Sequence, residues 1–239
     1  MVVLGTTLVA HPVRAGAAPT VVRDGIAPTS LTPISRRLFF AASDAATGVE
    51  LWTSNGTSAG TRMLKDINPG AASSSPTQLR NVQGTLYFVA DDGTTGPELW
   101  TSDGTSDGTR LVRDIQPGPS GSSPTLFAIL RGTLYFTADD GTNGTELWKT
   151  DGTPETTALV KDVTPGPTGT RFAGLVSTGE RLFFGADDGS GLRLWRSDGT
   201  GDGTAPVAPG PGGPILADSP ELRVLGDSVF FSEIGRAHV

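Results

Sequence analysis

Three observations on this 239-residue chain predict an all-β fold, a β-propeller-like array of four-stranded antiparallel blades. The four tryptophans stand at 52, 100, 148 and 195, so they are spaced 48, 48 and 47 residues apart. A period of that size marks a repeat architecture, in which the repeat and not the chain is the unit of folding. A second anchor keeps step with the first: Leu38-Phe39-Phe40, Leu86-Tyr87-Phe88, Leu134-Tyr135-Phe136, Leu182-Phe183-Phe184 and Val229-Phe230-Phe231. Between the anchors lie short turn-forming segments, and Gly 33 with Pro 18 make up a little over a fifth of the chain. Without a collagen period, that enrichment signals many tight turns.

The unit 119–166 shows how one repeat is built. Pro124–Leu130 is an apolar run that ends at the turn Arg131-Gly132, and Thr133–Ala138 is the aromatic and β-branched strand that follows. Asp139-Asp140-Gly141 opens a turn, Thr145–Thr150 is the tryptophan strand, and Leu159–Val163 is the fourth strand, closed by Pro165-Gly166. No window has helical period and every connection is of hairpin length. Strand residues alternate between faces, so Leu134 and Phe136 are expected to pack on one neighbouring blade and Tyr135 on the other. A β-solenoid is the alternative architecture, but its coils are shorter and carry fewer hairpins.

The predicted order along the chain is a lead-in at 1–28, blade one at 29–70, blade two at 71–118, blade three at 119–166, blade four at 167–212 and a truncated fifth at 213–232. The stretch Met1–Ala18 is weakly apolar and ends in small residues, as the core and cleavage site of a signal peptide would. It lacks the positive start of one, and a strand or irregular lead-in is the preferred expectation. Val21-Val22-Arg23-Asp24 resembles Leu111-Val112-Arg113-Asp114 and is expected to be the tail of a preceding blade. No tryptophan precedes Trp52, which argues against the N-terminal strands completing blade five, so an open array is expected. Residues 233–239 break the pattern and resemble a translated sequencing adapter.

Composition narrows the function. The net charge is −7 and charged residues are 18%, so no basic face invites nucleic acid or an anionic membrane. There is no cysteine, which removes disulfides and thiolate chemistry. No stretch reaches the roughly 18 apolar residues of a membrane span. The only histidines are His11 and His238, one in the lead-in and one in the anomalous tail. Histidine-based acid–base catalysis is therefore not expected.

The string Glu98-Leu-Trp-Thr-Ser-Asp-Gly-Thr105, followed by Gly108-Thr109 and Leu111–Gly118, resembles the ELWxxDGT repeat family. The motif is nearly intact at 50–57, 98–105 and 146–153, and the likeness covers about 35–204. In the fourth copy Arg193 replaces the glutamate, and 205–213 degenerates into Pro and Gly. The resemblance implies an exported or surface bacterial repeat protein of extracellular location, with a structural or binding role. It brings no catalytic residues.

Each chemically suggestive group has a plainer reading. Asp91, Asp92, Asp139, Asp140, Asp187 and Asp188 form acidic Asp-Asp-Gly loops that could offer oxygens to calcium. Their spacing matches no calcium loop, and Asp-Gly is the common solution to a tight hairpin, so no cofactor is expected. Trp52, Trp100, Trp148 and Trp195 could stack on a glycan. Recurring in every repeat beside Phe40, Phe88, Phe136 and Phe184, they are expected to be packing anchors instead. Asp66, Asp114 and Asp162 are expected to bond a neighbouring blade or blunt an edge, and Glu50, Glu98 and Glu146 to make a contact between strands or blades. A catalytic group occurs once, whereas all of these recur. The expected function is thus a non-catalytic structural or interaction module, its partner a protein or glycan. The alternatives are an accessory propeller of a carbohydrate-active enzyme and a calcium-stabilised adhesion module.

Overall fold

A computed structural model describes residues 7–10, 20–44, 46–207, 216 and 221–231. The anomalous tail from 233 onward lies outside the described residues. Twenty strands and no helix are found among them. In chain order they are β1 (Thr7–Ala10), β2 (Thr20–Asp24), β3 (Thr29–Ile34), β4 (Arg37–Asp44), β5 (Gly48–Ser54), β6 (Arg62–Lys65), β7 (Thr77–Val82), β8 (Thr85–Asp91), β9 (Pro97–Ser102) and β10 (Arg110–Arg113). The second half holds β11 (Thr125–Leu130), β12 (Thr133–Asp139), β13 (Thr145–Thr150), β14 (Ala158–Lys161), β15 (Arg171–Ser177), β16 (Leu182–Asp187), β17 (Leu192–Ser197), β18 (Ala205–Pro206), β19 (Arg223–Leu225) and β20 (Ser228–Phe230).

Strands β3 to β18 form four sheets of four strands, each in sequence order and antiparallel throughout. Two further pairs, β1–β2 and β19–β20, stand before and after them. The chain divides into two compact units, Met1–Asp114 with Gly118–Gly121, and Ile115–Pro117 with Ser122–Val239.

The two repeat anchors lie opposite each other in the sheets. Phe40 pairs with Trp52, Phe88 with Trp100, Phe136 with Trp148 and Phe184 with Trp195. All eight are buried, which is why the period is read so easily in these residues. The alternation of faces follows the expected pattern within each unit. Leu86 and Phe88 pack with Ile34, Phe39, Leu51 and Leu64 of the first sheet, whereas Phe40 and Trp52 lie on that sheet's other face with Leu8 and Ile26. In the second unit Leu182, Phe184 and Trp195 pack against Leu130, Tyr135, Leu147 and Val160, while Phe183 faces Leu222 and Phe231. A sheet sandwiched on both faces buries successive residues, and this gives the runs Phe39–Ala42 and Leu86–Ala90.

Two irregularities recur in register. The fourth strand carries a one-residue bulge: Leu51 opposes Lys65 while Trp52 opposes Met63, and Leu147 opposes Lys161 while Trp148 opposes Leu159. The extra residues, Leu64 and Val160, are thereby turned into the core. The first strand has its own bulge at Ser30, Gln78, Leu126 and Gly174, where φ lies between +52° and +60°. The fourth sheet departs where its sequence degenerates: β18 has only two residues, and beyond Pro206 the bonds to β17 are those of Val207 N to the Leu194 carbonyl at 2.9 Å and of Leu216 N to the Leu192 carbonyl at 2.8 Å.

Candidate functional site

The recurrent signature is the natural place to look for chemistry, and its polar groups face one another. In the second sheet Ser102 Oγ and Thr109 Oγ1 share a hydrogen bond of 2.7 Å. Gly104 N donates to Ser102 Oγ at 3.1 Å, and Thr105 N and Oγ1 donate to Asp103 Oδ1 at 2.8 and 2.7 Å. Thr109 Oγ1 in turn donates to the Thr105 carbonyl at 2.7 Å. The same closure occurs at Ser54/Thr61, Thr150/Thr157 and Ser197/Thr204, all 2.7 to 2.8 Å. The hydroxyls satisfy backbone groups that a sharp hairpin leaves unpaired. These hydrogen bonds and the one from the nearby backbone hold Asp103 and Asp198 below the usual carboxylate range.

The motif glycine also seats the preceding sheet. A Cβ on Gly104 would lie 3.3 Å from Phe39 Cζ, and one on Gly199 would lie 2.2 Å from Tyr135 Oη. Both have positive φ, +90° and +95°. Lysines add a second tie between the same sheets: Lys65 Nζ donates to the Thr109 carbonyl at 2.6 Å, and Lys149 Nζ to the Gly199 carbonyl at 3.2 Å.

The glutamate of the signature is a buried latch. Glu50, with no exposure, accepts from Ile67 N at 2.9 Å, Ser74 N at 2.8 Å and Ser74 Oγ at 2.6 Å. Glu146 accepts from Val163 N at 2.9 Å, Thr164 N at 3.3 Å and Thr170 Oγ1 at 2.6 Å. Each carboxylate thus fastens the connector that leads to the next sheet, which defines the contact expected from sequence. Burial pushes both carboxyls above their ordinary value, and the hydrogen bonds pull back only in part. Arg193 does not reproduce the latch; its guanidinium donates to the Ser190 carbonyl of its own loop at 3.4 Å.

The six acidic loop residues are occupied with their own turns. Asp91 Oδ1 accepts from Gly93 N at 2.7 Å, and Asp92 Oδ1 from the N and Oγ1 of both Thr94 and Thr95 at 2.7 to 3.1 Å. Asp139 accepts from Gly141 N at 2.7 Å, and Asp140 from Thr142 N, Asn143 N and Asn143 Nδ2 at 2.7 to 2.8 Å. Asp187 takes Gly189 N and Gly191 N at 2.9 Å, and Asp188 takes Ser190 N at 3.1 Å. Burial raises the Asp92 and Asp140 carboxyls, but these donors outweigh it and leave both below the usual range. Among the described residues no three His, Cys, Asp or Glu converge as metal ligands. Sequence reasoning passed over Asp44, which closes the corresponding loop of the first sheet through Ala46 N and Thr47 N at 2.9 and 3.0 Å. Without an Asp-Asp-Gly string there, only the 48-residue offset from Asp92 points to it.

The tryptophans expose at most 6% of their surface, and Trp52, Trp100 and Trp195 lie 6.4 to 6.5 Å from the paired phenylalanine rings. Buried on both sides, they offer no platform for a sugar. Asp66 does not bond a neighbouring sheet as expected; its Oδ2 accepts from Gly70 N at 3.3 Å, within its own turn. Beside the Glu50 latch lies a cavity of about 220 Å³ lined by Ser73, Ser74, Ser75, Thr77, Asp91 and Pro97.

No family model and no curated protein matches the chain. Solved structures do resemble it in fold. A puromycin hydrolase, as its S511A mutant complexed with PGG, superposes with a TM-score of 0.51 at 19% identity, over 86% of this chain and 33% of that one. A Mycobacterium tuberculosis puromycin-hydrolyzing peptidase gives 0.51 at 14% identity over 86% and 33%. The GH74 xyloglucanase from Xanthomonas campestris gives 0.50 at 16% identity over 80% and 32%. The chain thus spans about a third of the length of the solved structures it matches. These neighbours are β-propeller proteins, and the four sheets are blades of that fold.

Proposed function

We propose that this chain is a non-catalytic structural or interaction module of an exported bacterial repeat protein. One observation carries the reading: the polar residues of the recurrent signature close hairpins or join consecutive blades. Ser102, Asp103, Thr105 and Thr109 bond one another and their own backbone, and Glu50 and Glu146 fasten connectors. Functional groups that act once per molecule belong on positions that differ between repeats, and the signature is what does not differ. The likeness of Glu98–Thr105 to the ELWxxDGT repeats supports the same role and the extracellular location.

Binding then falls to the variable loops on the rigid scaffold. Thr94-Thr95, Thr142-Asn143, Ser190 and the connectors 71–75 and 119–123 are those positions, and the hydroxyl-lined cavity at Ser73–Ser75 adjoins one of them. Its serines and threonines would suit a glycan or a polar protein loop. The test is turnover. The purified chain, offered chromogenic glycosides and peptide amides, is expected to match heat-inactivated protein. A saturable activity that disappears on Asp92→Asn or Asp140→Asn would overturn the proposal and make the propeller an enzyme.

A further inference from the structure

At the cavity beside the Glu50 latch the second blade departs from its neighbours in two side chains. Ser73 stands where the other blades have Gly25, Gly121 and Gly169, and Val89 stands where the third blade has Thr137. Gly121 and Gly169 hold φ of +62° and +66°, and a Cβ there would meet Pro97 N at 2.5 Å and Thr145 N at 2.3 Å. Ser73 lies outside that region of φ, and its Oγ accepts from Val49 N at 2.9 Å. In the third blade the hydroxyls of Thr125 and Thr137 share a hydrogen bond of 2.8 Å. Val89 has no hydroxyl to give to Thr77, which lies opposite it as Thr125 lies opposite Thr137.

Both changes leave hydroxyls free in one space, the cavity of about 220 Å³ that Ser73, Ser75, Thr77 and Asp91 line. Among the described residues, the Ser75 and Thr77 hydroxyls bond no protein group. Asp91 Oδ1 accepts from Gly93 N at 2.7 Å, while Oδ2 accepts from no protein donor among the described residues. The connector that carries the serines is pinned. Glu50 holds Ser74 N and Oγ at 2.8 and 2.6 Å, the Val49 carbonyl holds Ser75 N at 3.1 Å, and Asp91 N holds the Ser74 carbonyl at 3.0 Å. The backbone under the hydroxyls is therefore fixed before anything binds, which lowers the ordering cost of binding.

The donors and acceptors left over select the ligand. An ionised Asp91 only accepts, whereas Ser73 Oγ already holds one N–H and has its own proton left to donate. A ligand must bring donors and acceptors together, as sugar hydroxyls do and an ammonium, with donors alone, does not. No Lys or Arg lines the cavity, so an anion finds no partner there, and Val89, Ala90 and Pro97 give an apolar wall for the C–H face of a ring. The volume lies below the roughly 300–1,000 Å³ of sites for drug-sized ligands, which leaves room for one ring. Resting on the reading of the chain as a binding module, we propose that this cavity binds a single neutral pyranose unit. Its hydroxyls donate to Asp91 Oδ2 and accept from Ser73 Oγ, with Ser75 and Thr77 completing the set.

Amide NMR titration of the chain with the methyl glycosides of glucose, galactose, mannose and xylose tests this. At least one should give saturable shifts at Ser73, Ser75, Thr77 and Asp91 in the millimolar range, the affinity of one small ring, while methyl glucuronide gives none. The corresponding disaccharides separate the two sources of such a ring: binding at least as tight as the methyl glycoside means a glycan end, and weaker binding means a free sugar. Ser73→Gly and Val89→Thr install residues that other blades carry at these positions, and each should weaken binding about two- to tenfold, the loss of one neutral hydrogen bond. Asp91→Asn keeps an oxygen for Gly93 N and should weaken it by at least about tenfold. Asp139→Asn, the same change one blade on, should leave it unaltered. Absence of saturable shifts below about 100 mM with every sugar overturns the proposal and leaves the module reading in place. Binding that survives all three cavity variants also overturns it, as does a preference for lysine amide, which would put a protein side chain in the cavity. Turnover of a bound glycoside would overturn the non-catalytic reading and leave the sugar site standing.

Discussion

Gly199→Ala isolates the contact that joins one blade to the next. Its backbone has φ of +95°, where an alanine costs about 1–2 kcal/mol. A Cβ there would also stand 2.2 Å from Tyr135 Oη, well inside contact distance. Tyr135 is 6% exposed and is packed with Leu130, Leu175 and Trp195, so its ring has little room to retreat. Forcing an extra methyl group into such a site costs about 1–3 kcal/mol more. The expected total is roughly 2–5 kcal/mol by the two terms together. Gly56→Ala is the internal control, since φ is +86° and nothing lies within 4 Å of the new atom. It should cost only the backbone term, about 1–2 kcal/mol. Urea unfolding of both variants, and of Gly199→Ala in a Tyr135→Phe background, completes the comparison. Removing the phenol oxygen should recover much of the difference. Equal costs for the two glycines, within about 0.5 kcal/mol, would refute the seating of Tyr135 on the motif, because additive errors are no larger than that.

Trp100→Ala empties a site between Phe88 and the first blade and should cost about 3–5 kcal/mol in the same assay, with unchanged stability refuting its role as an anchor. Asp92→Ala removes the acceptor of four hydrogen bonds in an exposed turn and should cost about 1 kcal/mol. Millimolar calcium against chelator should leave the wild-type melting temperature in place, and a rise of several degrees would show that these loops bind the ion. For the latches, the sign follows from the raised carboxyl of Glu146. The folded state holds that proton more tightly than the unfolded one, so its share of stability is greatest below the ordinary value of 4.5 and falls as pH rises through the folded value. Glu146→Gln should flatten that decline in melting temperature above about pH 4.5. An unchanged slope would show that the group is not strained by its burial.

The fold was legible because one blade's core is written in large residues at a fixed interval. Trp and Phe pair across β4–β5 and its counterparts, and each pair must recur for blades to stack. The latch was legible only as a recurring glutamate, since its partners Ile67 and Ser74 are backbone and hydroxyl donors 17 and 24 residues away. The preference of Gly104 and Gly199 for an aromatic ring was not visible, because a hairpin glycine reads the same whether or not something rests on it. In β1–β2 Val9 stands where Trp52 stands in β5–β6, with the register shift at the same step, so that pair carries no tryptophan to mark it. A smaller side chain keeps the ladder while erasing the anchor by which repeats are counted.

The first-strand bulge shows the same gap between backbone need and residue choice. Ser30, Gln78 and Leu126 all sit at φ of +52° to +56°, and only the fourth blade has glycine, Gly174, at that step. The position is fixed by register, with Thr77 opposite Val89 but Arg80 opposite Tyr87. The ladder on either side imposes the left-handed turn, and the side chain tolerates it at a cost of about 1–2 kcal/mol. Gln78→Gly relieves that strain but adds freedom to the unfolded chain worth about 0.5–1 kcal/mol, so it should be neutral or stabilising by no more than about 1.5 kcal/mol. Gln78→Val introduces a branched Cβ where φ is positive and should destabilise by more than the 1 kcal/mol or so typical of a point change. If valine were accepted at position 78 without loss, the bulge would be a soft feature of one blade. A clear loss would make it the element that sets the register of every first strand, with Gly174 as the relaxed form.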